Sequence, residues 1–151
     1  MKILIVDDSP IDLSIINETI SKIGEVTKSF ACTPIDAIDM AIKIKPDLII
    51  LDVIMSGMDG VEVAGKLARS SVTADIPILF ITADVCDKTE VSCYQVGCID
   101  FLTKPINMHR LVEIITQQSF VNSMNELIKS NREFAVNLIT RPSVNDPILT
   151  A

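Results

Sequence analysis

Asp47-Leu48-Ile49-Ile50-Leu51-Asp52 decides how this chain folds. Four consecutive apolar residues with no polar alternation form the kind of strand that is covered on both faces, which calls for a parallel sheet between two layers of helix. Pro46 breaks the preceding helical pattern and Asp52 ends the run. Toward the N-terminus, Lys2 to Val6 is an apolar β-branched strand ending in Asp7-Asp8-Ser9-Pro10. Leu13, Ile16, Ile20 and Ile23 then recur at helical spacing up to Gly24. Glu25 to Phe30 reads as a second strand, and Thr33-Pro34 as an N-cap followed by proline at the first helical position. That helix holds Ile35, Ile38, Ala41 and Ile42. Toward the C-terminus, Met55-Ser56-Gly57-Met58-Asp59-Gly60 is a turn into a helix carrying Val61, Val63, Ala64 and Leu67. Ile76 to Ile81 is a fourth strand ending at Thr82, and Lys88 to Val96 a fourth helix closed by Gly97. Ile99 to Leu102 is a fifth strand, and after Lys104-Pro105 a last helix contains Leu111, Val112 and Ile115. Five strand and helix units in alternation predict an α/β domain with a doubly wound parallel sheet joined by right-handed crossovers.

In open sheets of this class the functional site lies beyond the carboxyl ends of the strands. Asp7, Asp8, Asp52, Thr82 and Lys104 all fall there. Converging carboxylates repel one another by roughly 4 kcal/mol per pair at ~4 Å and an effective dielectric of ~20, so the cluster calls for a cation. An all-oxygen site that leaves positions for water and phosphate suits Mg²⁺. Asp8 and Asp52 are the expected direct ligands, with Asp7 in support and the backbone carbonyl of Ile54 as a further ligand. Once the charge is neutralised, Asp52 can act as a nucleophile toward phosphorus. Lys104 supplies an ammonium, and Thr82 a hydroxyl that donates to a phosphoryl oxygen alongside the Ala83 backbone N–H. Each element alone is commonplace: a polar loop, a turn aspartate, a strand-end hydroxyl, a Lys-Pro pair. Their order at successive strand ends is what points to one site.

Ile3-Leu4-Ile5-Val6-Asp7-Asp8-Ser9, Asp47 to Asp52, Met58-Asp59-Gly60, Ile81-Thr82-Ala83 and Lys104-Pro105 together resemble the receiver family of response regulators, from about Lys2 to about Gln118. The resemblance implies a flavodoxin-like sheet of strand order 2-1-3-4-5, with Asp52 as phosphoacceptor. It further implies a phosphohistidine donor, either a histidine kinase or a histidine phosphotransfer protein, and a downstream protein target. Such a chain catalyses only its own phosphorylation and dephosphorylation. Phe101 matches the family's aromatic switch position, although the residue reads equally as a core phenylalanine on the last strand. The face expected to change is the fourth helix, fifth strand and fifth helix. Two positions depart from the family pattern: Ser56 stands where proline is usual, and Ile54 is apolar where many relatives are polar. The first loosens the loop after the phosphoacceptor, and the second puts the lifetime of the phosphorylated state in question.

The chain has 151 residues, 48% of them hydrophobic and 22% charged, which suits one soluble domain with a real core. A net charge of −7 repels phosphate backbones and anionic lipid, so protein partners or a cation are expected rather than nucleic acid or membrane. Only four apolar residues, Ile3 to Val6, precede Asp7, too few for a signal peptide, and a cytoplasmic location is expected. Cys32, Cys86, Cys93 and Cys98 contain no Cys-x-x-Cys pair and read as reduced thiols; His109 reads as a surface residue.

The expected organisation is a receiver over residues 1–118 and a helical extension and linker over 119–151. Val121, Met124, Ile128, Asn131, Ala135 and Leu138 follow alternating steps of three and four. That spacing suits either a short coiled coil, hence a homodimer through this helix or the fourth and fifth helix face, or a helix folded back on its own domain. Ser143 to Pro147 reads as linker, and Ile148 to Ala151 as the start of a further segment. A rival reading therefore makes the chain the receiver portion of a longer regulator with an enzymatic output such as cyclic-dinucleotide turnover. Haloacid-dehalogenase-like phosphatases need a second Asp two residues after the nucleophile, where Asp7 is followed by Ser9. A flavodoxin needs a hydroxyl- and glycine-rich phosphate loop, where Asp7-Asp8 would repel the flavin phosphate.

Overall fold

The computed structural model describes residues 1–140. The linker reading of Ser143 to Pro147 and the segment Ile148 to Ala151 lie outside the described residues. Five strands, β1 (Lys2–Val6), β2 (Thr27–Ala31), β3 (Leu48–Asp52), β4 (Ile78–Thr82) and β5 (Asp100–Thr103), form one parallel sheet in the order β2-β1-β3-β4-β5. They alternate with α1 (Pro10–Ile20), α2 (Pro34–Ile44), α3 (Gly60–Ala68), α4 (Asp87–Gln95) and α5 (Met108–Thr140). This is the doubly wound, flavodoxin-like arrangement expected from the receiver-like motifs.

Alternate residues along each strand feed opposite faces of the sheet. Leu4, Val6, Ile49, Leu51 and Phe80 pack with Ala37 and Ala41 of α2, Val63, Ala64 and Leu67 of α3 and Cys93 of α4. Ile3, Ile5, Leu48, Ile50, Leu79 and Ile81 pack with Ile16 and Ile20 of α1 and Leu111, Ile114 and Ile115 of α5. Every residue of β3 and β4 is buried, as an unbroken apolar run requires.

Local chemistry sets the element ends. Ser9 and Thr33 accept from the backbone of Asp12 and Asp36, each with proline at the first helical position. β4 starts at Ile78 rather than Ile76, behind Pro77, which has no N–H to donate to a ladder. β2 starts at Thr27, after Gly24 turns the chain with φ of 41°. The chain divides into two compact units, one over Met1–Gln118 and one beginning at Ser119. Along α5, Leu111, Ile114 and Ile115 are buried, whereas Phe120, Met124, Leu127, Phe134 and Leu138 are exposed.

Candidate functional site

Three strand ends set the geometry. In register, Val6 pairs with Leu51 and Asp52 with Ile81, so Asp7, Asp52 and Thr82 emerge at nearly one level on β1, β3 and β4. Asp7 is buried; its Oδ1 accepts from the Ser9 N–H at 2.8 Å, which bends the chain into α1. Asp52 is buried too, and its Oδ1 accepts from the Ile54 N–H at 3.2 Å. Asp8 is exposed and its Oδ2 accepts from the Ser56 N–H at 3.2 Å, tying the loops after β1 and β3 together. Carboxylate oxygens of Asp7, Asp8 and Asp52 lie within 4.8 Å of one another.

Gly60 holds Asp52 from behind. Its N–H donates to the Val53 carbonyl at 2.8 Å, and a Cβ on it would stand 2.2 Å from the Asp52 carbonyl oxygen. Only glycine lets α3 start this close to β3. The Asp59–Glu62 capping box completes that helix end.

Lys104 follows β5, and its Nζ reaches Asp7 Oδ2 at 3.0 Å, Asp52 Oδ2 at 3.2 Å and Asp12 Oδ2 at 2.8 Å. Its backbone N–H donates to the Thr82 carbonyl at 2.7 Å. Burial works against the ammonium, but hydrogen bonds to Asp12 and Asp7 and the charges of Asp52 and Asp7 outweigh it. The pKa is therefore raised above the ordinary lysine value. Burial and the neighbouring Asp7 charge push Asp52 up to about 6, with Lys104 pulling the other way.

Thr82 is fully buried and its Oγ1 accepts from the Asp84 N–H at 3.1 Å. The Asp84 carboxylate in turn accepts from the Cys86 N–H at 2.9 Å and the Thr89 hydroxyl at 2.7 Å, at the start of α4. Ala83 is exposed between them and Ile54 is more than half exposed at the rim. Phe101 is half-buried on β5, level with Phe80 and packed against the core on the α3 and α4 side. The fold thus brings Asp7, Asp8, Asp52 and Lys104 into one cluster, with Thr82 and Ala83 at the adjoining strand end. Sequence reasoning missed Asp12, since an acid in the first turn of a helix reads as a complement to the helix dipole. It also missed Asp84, which reads as a loop residue.

The response regulator receiver domain family matches residues 3–116. The chain belongs to that family. Receiver relatives include Protein PilH of Pseudomonas aeruginosa, 31% identical over 115 residues that cover 76% of this chain and 93% of PilH. The cyclic di-GMP phosphodiesterase response regulator RpfG of Xanthomonas campestris is 35% identical over 112 residues, 74% of this chain and 30% of RpfG. The chain spans about half of the length of several transcriptional regulators it matches. The Vibrio cholerae chemotaxis protein CheY4 superposes with a TM-score of 0.71 at 28% identity, covering 77% of this chain and 96% of that one. Receivers generally bind Mg²⁺, and the donor set here fits it: three carboxylates, all oxygen, two buried and one open to solvent. Among the described residues, no helix is long and apolar enough to cross a membrane.

Proposed function

We propose that residues 1–118 take a phosphoryl group from a partner phosphohistidine onto Asp52 and so switch a protein-interaction surface. The convergence of Asp7, Asp8 and Asp52 with the Lys104 ammonium 3.2 Å from Asp52 carries this reading. Asp52 attacks phosphorus through a carboxylate oxygen, and the phosphohistidine nitrogen leaves. Asp7, Asp8, Asp52 and the Ile54 backbone carbonyl would hold Mg²⁺, which when bound neutralises the cluster and polarises the phosphoryl oxygens. Lys104 then redirects its donor from Asp52 to a phosphoryl oxygen, and the Thr82 hydroxyl and Ala83 N–H donate to others. To do so Thr82 turns away from the Asp84 N–H, and Phe101 follows inward. Two or three charge-assisted hydrogen bonds at ~1.5–3 kcal/mol each supply the roughly 5.5 kcal/mol that reverses a 1:99 equilibrium.

The partners on this reading are a cytoplasmic histidine kinase or histidine phosphotransfer protein and a downstream protein that reads the α4, β5 and α5 face. A homodimer forms through that face or through the helix beyond Gln118. A small-molecule phosphodonor with Mg²⁺ should add ~80 Da to the intact protein, and Asp52→Asn should abolish the gain. Unchanged labelling of the variant would overturn the assignment.

The similarity to RpfG, of which this chain covers 30%, favours a second reading in which residues 119–151 lead to an enzymatic output domain. The mass of the protein isolated from its natural source separates the two readings.

A further inference from the structure

The Lys104 ammonium has three protons and three carboxylate partners, so its donor capacity is filled. Two of those partners belong to the acidic cluster. The third, Asp12, lies outside it, and at 2.8 Å it makes the shortest of the three contacts. The side chains are graded in depth: Asp7 is 2% exposed, Asp52 5%, Lys104 18% and Asp12 29%. Asp7 and Asp52 therefore draw the ammonium inward, and Asp12 draws it toward the mouth. The reach of Asp12 is fixed by its backbone, since its N–H is capped by Ser9 Oγ at 3.3 Å and Pro10 sets the start of α1.

We infer that Asp12 is a positioning residue of the phosphoryl site, holding the Lys104 ammonium at the outer side of the Asp52 carboxylate where an incoming phosphoryl oxygen meets it. Without Asp12 the ammonium settles between Asp7 and Asp52, in the space a cation needs, and its donor points away from the phosphoryl position. A first-turn acid that served only the helix dipole would have no preferred partner across 92 residues of sequence; this one has an ion pair. The inference rests on the reading of Asp52 as phosphoacceptor.

The test is calorimetric titration of the full chain with beryllium fluoride at saturating Mg²⁺. Asp12→Ala should weaken binding about tenfold, or ~1.4 kcal/mol, with the melting temperature confirming the fold. Asp12→Asn, which keeps an acceptor oxygen, should lose less. In a Lys104→Ala background, Asp12→Ala should cost nothing further. If Lys104→Ala takes fluoroberyllate binding below detection, the same cycle is read on Mg²⁺ affinity, where the loss from Asp12→Ala shrinks once Lys104 is gone. Equal losses with and without Lys104 would overturn the inference, as would unchanged or tighter binding in the single variant. A wild-type protein that takes no fluoroberyllate sinks the proposed function instead.

Discussion

Helices α3 and α4 have the same length, nine residues, and are built in opposite ways. α3 opens on a complete capping box, presses Gly60 against the end of β3, and buries Gly60, Val63, Ala64 and Leu67. α4 opens on Cys86 with no side-chain cap, buries only Cys93, and leaves Val91 and Tyr94 exposed. One helix fixes the backbone of the proposed phosphoacceptor; the other is tied to the site mainly through Asp84 and Thr82. The difference teaches where rigidity is placed. On the proposed function, chemistry at Asp52 needs a fixed carboxylate, whereas a reporting surface needs a helix whose local opening is cheap.

The hardest blow to that contrast falls at Gly60. Gly60→Ala should cost about 3 kcal/mol or more in denaturant unfolding, because the new Cβ displaces the Asp52 backbone. Gly65→Ala in the same helix meets nothing within 4 Å and should be neutral or stabilising by up to ~1 kcal/mol. Equal effects at the two glycines would remove the argument for α3 as a brace.

Next in size is the burial of Asp52 itself. Its pKa in the fold, about 6, lies above the ordinary 3.8, so well below pH 3.8 folded and unfolded chains are both protonated and the group contributes nothing. As pH rises through 3.8 toward 6 the unfolded chain ionises first, and stability is lost until both states are charged. Asp52→Asn should therefore stabilise the metal-free protein by about 2 kcal/mol at pH 7 and leave it unchanged near pH 3.5. Chemical denaturation at the two pH values decides.

The smallest effects compare the two caps directly. Asp59→Ala should lose ~1 kcal/mol, while Cys86→Asp should gain ~0.5–1 kcal/mol and slow amide exchange in α4. A gain at Cys86 without slower exchange would break the proposed link between the missing cap and the opening of α4.

Much of this was legible beforehand because it depends on local pattern. Leu48 to Leu51 could only be a strand with both faces covered, and Thr33-Pro34 could hardly be anything but a helix start; both stand where they were expected. Asp7, Asp8, Asp52 and Lys104 could be assembled once each was assigned to a strand end. The order of the strands was not legible from spacing, since any doubly wound sheet has the same alternation, and only the resemblance supplied it. Asp12 was out of reach because its partner lies far away in sequence, and an acid in a first turn already has an adequate local explanation. Thr82 was found, but its bond to Asp84 was not, since loop conformation after a strand leaves no periodic trace.

The short hydrogen bond from the Lys104 backbone to the Thr82 carbonyl couples two groups that the chemistry would otherwise treat as separate. The hydroxyl-bearing residue and the ammonium-bearing residue share one backbone contact, so their main chains are held in step at the end of β4. On the proposed function, a tetrahedral anion at Asp52 would meet a two-pronged fork rather than two free fingers. On that reading a half-gripped state, with one prong engaged and the other idle, is disfavoured, and the response to a single covalent event is sharper for it.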